Sequence, residues 1–262
     1  MSPTLQAPVI TRKQPAIEFL SIAAPAFNEG EGITAIVTDW LDHLRQCPEV
    51  GRFEIVVCND GSRDETGVLL DRMARETGEI RPVHLAQNRG AAAALSTAIR
   101  HTRGDWVLLI DSDGQFPIAN LDILTKALEP TAAPGAIGVR PAKQDSAFAR
   151  FGSWSSGALC NWFHGSHYRD FNSALKLVQG PLLRSLHLEA RGLNYSTEVT
   201  SKLLERGVGL VEAEIVHLPR EQGNSSLKAL RGALDRFLFV GYIGLRQLLF
   251  RLRILESEAP CS

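Results

Sequence analysis

The chain has 262 residues, with 28 basic and 29 acidic side chains and a formal net charge of -1. Hydrophobic residues make up 44% and charged residues 22%, an ordinary globular balance with ample core, which excludes disordered, collagen-like and coiled-coil chains. The near-neutral total also excludes a uniformly basic nucleic-acid binder.

Residues 1–18 are polar and Pro-containing; they lack the apolar stretch of a signal peptide and read as a tail. Phe19 to Ala24 is a short apolar run ended by Pro25. From Ile33 to Leu44 apolar residues recur at helical spacing. Phe53 to Cys58 reads as a strand that stops at Asn59-Asp60-Gly61-Ser62, a turn signal. Asp64 is placed to cap a helix running to Glu76, Val83 to Ala86 reads as a third strand, and Gly90 to His101 as an Ala-rich helix. Trp106 to Ile110 reads as a fourth strand, ending in Asp111-Ser112-Asp113-Gly114. Strands alternating with helices predict βαβ units and a mostly parallel sheet. Ligands then bind beyond the carboxyl ends of the strands, where Asn28-Glu29, Asn59-Asp60 and Asp111 to Asp113 fall.

The second half is less regular. Ala147 to Phe163 reads as a helix, Phe171 to Val178 and Gly209 to His217 as strands, and Thr197 to Arg206 as a helix between them. Ser225 to Leu255 reads as one long or broken amphipathic helix, with Gly241 and Gly244 marking a kink. Its longest apolar run, Phe237 to Leu245, is far shorter than the roughly 18 residues of a spanning helix. A soluble or peripheral protein is expected. The cysteines at 47, 58, 160 and 261 form no C-x-x-C pair. That spacing argues against a zinc site or a disulfide framework and for a reducing cytoplasm.

The sharpest local feature is Asp111-Ser112-Asp113-Gly114-Gln115. Two carboxylates one residue apart at a strand end can converge on Mg²⁺ or Mn²⁺ shared with diphosphate oxygens. An EF-hand loop would need Gly where Phe116 stands. A haloacid-dehalogenase phosphatase would carry its D-x-D after the first strand, with Thr or Val in place of Gln115.

Pro25-Ala26-Phe27-Asn28-Glu29 after the first strand, Asn59-Asp60-Gly61-Ser62 after the second, Asn88-Arg89-Gly90 after the third and D-x-D-G-Q after the fourth stand in a telling order. This order resembles family 2 glycosyltransferases, the inverting nucleotide-sugar enzymes of the GT-A fold. It is closest to the dolichyl-phosphate mannose synthase and polyprenyl-phosphate glycosyltransferase branch. The resemblance runs from about Leu20 to Lys228. It implies an α/β fold with a Rossmann-like, mostly parallel sheet flanked by helices. The catalytic domain would span residues 19–228, and residues 229–262 would form a C-terminal amphipathic helix and tail.

The resemblance also implies roles. Pro25, Phe27, Asn28 and Glu29 match the segment that holds the nucleotide, and Asp60 the acid that contacts the base. Asp111 and Asp113 match the metal and diphosphate motif, with Gln115 beside it. Arg140, Arg150 and Lys176 match an acceptor-side segment and are expected to clamp an acceptor phosphate. Arg220, in the closing Arg220-Glu221-Gln222-Gly223-Asn224-Ser225-Ser226 element, matches the cation that reaches the donor diphosphate. The family Lys falls at Ser226, with Lys228 two residues on.

The implied reaction is metal-dependent displacement at the anomeric carbon, with Asp113 and Arg220 in the catalytic machinery. The donor would be a GDP- or UDP-linked sugar. A polyprenyl phosphate acceptor is already anionic and needs no general base, whereas an alcohol of a soluble small molecule or saccharide does. Asp170 and Glu198 are the base candidates. The sequence lacks a Glu-Asp pair near Tyr195 to Thr200, which favours the phosphate acceptor. Two other classes fit the sequence less well. A sugar nucleotidyltransferase would need a basic Gly-rich loop, but Pro25 to Gly32 holds no Lys or Arg. A non-catalytic nucleotide-sugar-binding protein has no reason to carry Asp111, Asp113 and Arg220 together.

The neutral total is a cancellation. Residues 21–139 hold 10 basic and 17 acidic side chains, residues 140–184 hold 6 and 2, and residues 228–253 hold 6 and 1. The C-terminal helix is expected to pack on the catalytic domain or in a homodimer, while its basic flanks also suit a bilayer interface. The expected location is cytoplasmic, with peripheral contact at the inner face of the membrane as the alternative.

Overall fold

The computed structural model describes residues 16–141, 147–189, 194–219 and 238–246. The elements run β1 (Ile17–Ala26), α1 (Ile33–Gln46), β2 (Val50–Asn59), α2 (Thr66–Thr77), β3 (Ile80–His84), α3 (Ala91–His101), β4 (Trp106–Leu109), α4 (Asn120–Leu128) and β5 (Gly135–Val139). They continue as α5 (Ala147–His164), β6 (Lys176–Gln179), α6 (Gly180–Arg184), α7 (Tyr195–Glu205), β7 (Val211–Glu214) and α8 (238–246).

The seven strands form one sheet in the order β3-β2-β1-β4-β6-β5-β7. β3, β2, β1 and β4 are parallel neighbours, as are β5 and β7, while β6 runs antiparallel to β4 and β5. Strand alternation divides the core between two faces. Ile22, Ala24, Ile55 and Val57 pack under α1, α2 and α4, with Trp40, Leu70 and Leu121. Ala23, Val56 and Cys58 pack under α3, α6 and α7, with Leu95, Leu183 and Val199. Helices on both faces explain why the central strands are nearly continuous apolar runs. A third cluster of Cys160, Phe171, Val240 and Ile243 joins α5 to α8. There a Cβ added to Gly244 would overlap the Phe163 ring, so glycine at that position lets the two helices approach closely.

The departures from the sequence reading have local causes. The third strand runs from Ile80 rather than Val83, and Pro82 is tolerated because β3 is a sheet edge. The strand expected from Phe171 begins only at Lys176. Ser173 N–H turns back onto the Asp170 carbonyl, and Phe171 packs in the third cluster. β5 carries Gly135 and Gly138, which disguise it as a loop. A Cβ on Gly138 would lie 2.6 Å from Ile215 Cδ1, so neighbouring strand residues occupy the space a side chain would need.

Candidate active site

The carboxyl ends of β1, β2 and β4 open onto a cleft of about 500 Å³, where a parallel sheet of this kind places its ligand. Pro25, Phe27, Glu29, Asp60, Asp111, Asp113 and Gln115 line it on the β1–β4 side, and Arg140, Asn172 and Tyr195 on the other. The sheet therefore gathers most of the residues singled out by sequence.

On the β1–β4 side the backbone does much of the positioning. Asn28 takes a left-handed conformation, φ 56°, the turn role for which Asn is suited. Its N–H donates to Ser62 Oγ at 2.9 Å and its Oδ1 accepts from Arg63 N–H at 3.0 Å. It shapes the turn and does not line the cleft. Asp60 is buried, and its two oxygens accept from the N–H groups of Arg89 (2.7 Å) and Gly90 (2.8 Å). It thereby fixes the loop before α3. Ser112 Oγ donates to the Pro25 carbonyl at 2.7 Å, pinning the D-x-D turn to the end of β1.

The D-x-D carboxylates differ. Asp113 Oδ1 accepts the Gln115 N–H at 3.1 Å. Gln115 in turn accepts the Leu218 N–H at 2.9 Å and donates its Nε2 to the Leu218 carbonyl, closing the segment after β7 over the turn. Asp111 accepts a hydrogen bond from the Tyr195 hydroxyl. Burial pushes the Asp111 carboxyl up to about 6, against that hydrogen bond and helped by the Asp113 charge. Two carboxylate-bearing residues lining one cleft suit a hard divalent cation, so the residues fit the metal that the motif implies. Asp111 and Asp113 would hold it, and Gln115 is tied beside them.

The opposite side is held by side chains. Arg140 grips Asp170 with Nε (2.7 Å) and Nη2 (3.1 Å), a bidentate pair. Asp170 is 2% exposed, so its carboxylate is committed to this pair. Lys176 is 0% exposed and does not line the cleft. Its Nζ donates to the carbonyls of Ser173 and Ser196. Burial pushes its ammonium down to about 7, with Asp170 opposing the shift and Arg140 adding to it. Lys176 thus sits behind the cleft wall rather than reaching an acceptor. Glu198 is also buried and outside the cleft. It accepts the Glu189 N–H at 2.7 Å and pairs with Lys202 at 3.2 Å. Arg220, Ser226, Lys228 and the Arg150 side chain lie outside the described residues.

Sequence reasoning missed Tyr195, Asn172 and His217 as cleft residues. Asn172 Oδ1 accepts from Thr197 Oγ1 at 2.7 Å, joining the turn before β6 to α7. His217 packs its ring on Phe116, with centroids 5.0 Å apart. The available signal was the run Tyr195-Ser196-Thr197, three hydroxyls at the start of a helix that is buried along most of its length. Such hydroxyls need partners, and here they face a polar cleft.

The seven-stranded sheet with helices on both faces is the GT-A architecture. Glucosyl-3-phosphoglycerate synthase from Mycobacterium tuberculosis, crystallised with Mn²⁺ and uridine-diphosphate-glucose, matches with a TM-score of 0.63 at 20% identity, over 92% of this chain and 81% of that one. Residues 21–186 match the family model described as Glycosyl transferase family 2, and the chain belongs to that family. A dolichyl-phosphate beta-glucosyltransferase, ALG5A of Trichomonas vaginalis, is 32% identical over 127 residues, 47% of this chain and 39% of that protein. An undecaprenyl-phosphate 4-deoxy-4-formamido-L-arabinose transferase of Pseudomonas fluorescens is 28% identical over 225 residues, 82% of this chain and 62% of that protein. The chain thus spans less than two thirds of the length of either relative.

Proposed function

We propose that this chain is a metal-dependent, inverting glycosyltransferase that moves a sugar from a nucleoside-diphosphate sugar to a polyprenyl phosphate. The observation that carries this reading is the cleft itself: the Asp111–Asp113 pair faces Arg140 across the carboxyl ends of the sheet. Asp111 and Asp113 would hold a divalent cation, which would supply electrostatic stabilisation to a departing diphosphate. Pro25, Phe27 and Glu29 form the wall that would receive the nucleotide, and Phe27, which is exposed, offers a face for the base.

The acceptor reading rests on charge and on the commitment of both base candidates. Asp170 is paired with Arg140, and Glu198 with Lys202. A phosphate nucleophile needs neither, since it is anionic at neutral pH. Arg140 is the cation at the cleft that would meet it, with Lys176 holding the wall behind. Arg150 and Arg220 remain part of the proposal as further phosphate contacts.

The α5–α8 pair supplies a reason for a lipid acceptor. Trp154, Leu159 and Trp162 on α5 are exposed, Trp162 at 74%, as are Leu238, Tyr242 and Leu245 on α8. Trp and Tyr side chains suit the headgroup level of a bilayer. Among the described residues no helix is long and apolar enough to cross a membrane, so the contact proposed is peripheral, at the cytoplasmic face. The test is a donor panel of GDP-mannose, UDP-glucose and UDP-N-acetylglucosamine with Mg²⁺ or Mn²⁺, with and without a short polyprenyl phosphate. A glycolipid formed only when the lipid is present is the expected result. Transfer to water-soluble phosphates or sugars at equal efficiency would replace the lipid acceptor with a soluble one, and no transfer from any donor would overturn the reading.

A further inference from the structure

A second cluster of chemically active side chains lies away from the cleft. His43, in the last turn of α1, and Cys47, at its C-cap, are four residues apart and leave the same side of the helix. Asp122, in the first turn of α4, meets them. Its Oδ1 lies 3.1 Å from His43 Nε2 and 3.9 Å from Cys47 Sγ. The three ligand atoms lie within 4.8 Å of one another. Glu49, in the turn before β2, places Oε2 3.4 Å from Cys47 Sγ. None of the four residues lines the cleft.

Zinc binds sulfur, nitrogen and oxygen at roughly 2.0–2.3 Å, which sets neighbouring donors of a tetrahedron roughly 3.3–3.7 Å apart. The separations of 3.1 and 3.9 Å bracket that range. In the metal-free state the His43–Asp122 pair and the thiol's hydrogen bonds to Glu49 Oε2 and Asp122 Oδ1 hold these donors together. Zinc binding there would release the thiol proton to solvent. The lack of a C-x-x-C pair argued against zinc from sequence. The fold supplies a further donor, Asp122, from α4.

We propose that His43, Cys47 and Asp122 form a zinc site separate from the Asp111–Asp113 pair, with the fourth position open to water. The thiolate sets its preference, because Mg²⁺ and Mn²⁺ favour all-oxygen ligands. Bound zinc staples the end of α1 to the start of α4.

The test is titration of the metal-free 262-residue chain with Co²⁺, read by visible absorption, followed by displacement with Zn²⁺. One equivalent should give a thiolate-to-cobalt charge-transfer band with tetrahedral d–d bands, and Zn²⁺ should abolish both. Cys47→Ser should remove the charge-transfer band. His43→Ala and Asp122→Ala should weaken binding by about tenfold or more, the loss that even outer-shell changes bring at metal sites. Asp113→Ala should retain the spectrum, which separates this site from the cleft. Zn²⁺ should raise the Tm of the parent chain but not of Cys47→Ser, whose metal-free Tm serves as the folding control. An unchanged band in Cys47→Ser, or no tetrahedral spectrum in the parent chain, would overturn the site.

Discussion

The two walls of the cleft are built by different means. On the β1–β4 side, polar side chains are tied to the backbone of nearby turns: Asp60 to two amides, Asn28 to one, Ser112 to the Pro25 carbonyl. On the other side, charges are tied to one another and to α7, through Arg140–Asp170, the carbonyls that receive Lys176, and the Asp111–Tyr195 bond. Backbone-tied groups form a scaffold in which one side chain can change without stranding another. A network of buried charges behaves differently, because each member compensates the next and a single deletion leaves an unpaired charge. The first wall should therefore fail locally and the second cooperatively.

The largest expected effect falls where the walls meet. Asp113→Ala should lower sugar transfer by about 10³-fold, the scale on which losing a preorganised charge-stabilising contact acts. Its Tm should move little, because Asp113 is only partly buried and its one assigned bond is to the neighbouring turn. A nucleotide-release assay beside a melting curve checks both halves. Across the cleft, Asp170→Ala should cost about 3–5 kcal/mol of stability, since it leaves Arg140 and Lys176 without their shared carboxylate. Urea denaturation measures this. A loss under about 1 kcal/mol would place Asp170 with weakly coupled surface pairs instead.

That contrast also explains what the sequence disclosed. Glu29, Asp60, Asp111 and Asp113 were legible because they sit just past strands whose apolar runs are unmistakable, and strand ends point to the cleft. The fold class followed from the same runs. Arg140, Asp170 and Lys176 were recognised as important, but their mutual pairing was not. It depends on Arg140 and Asp170, 30 positions apart, meeting where the end of β5 approaches the turn before β6. Tyr195 was missed for a similar reason: its partner Asp111 lies 84 positions away. β5 was hidden by the glycines that let β6 and Ile215 approach it.

A smaller effect should appear in the pH dependence of metal binding. The Asp111 carboxyl, raised to about 6, must lose its proton to hold a cation. Mn²⁺ affinity should be flat above that pH and fall about tenfold per unit below it. The stability of the metal-free fold runs the opposite way. Because the folded pKa lies above the unfolded value of about 3.9, this group's contribution is fully present below about pH 4 and is lost as the pH rises through 6. Bound cation restores it. Tyr195→Phe removes the hydrogen bond that holds the carboxyl down, so the break should move to higher pH. Affinity at neutral pH should fall by about 10–100-fold, as outer-shell changes typically cause. Calorimetric titration across pH 5–8 checks the shift, and an unmoved break would show that the hydroxyl does not tune Asp111.

The smallest effect on turnover separates a wall residue from a base. Glu198 sits on α7 behind the cleft, with its carboxylate on the Glu189 N–H and the Lys202 ammonium. Glu198→Gln keeps an acceptor oxygen for that amide but removes the charge opposite Lys202. Breaking this buried pair should lower stability by about 3 kcal/mol or more, while turnover of the folded fraction should change by less than about threefold, well short of the 10²–10⁴ that a lost general base brings. The opposite pattern, an unchanged Tm with a hundredfold loss of turnover, would make Glu198 a catalytic base. An alcohol would then replace phosphate as the acceptor, and the cooperative wall would have to carry chemistry as well as charge.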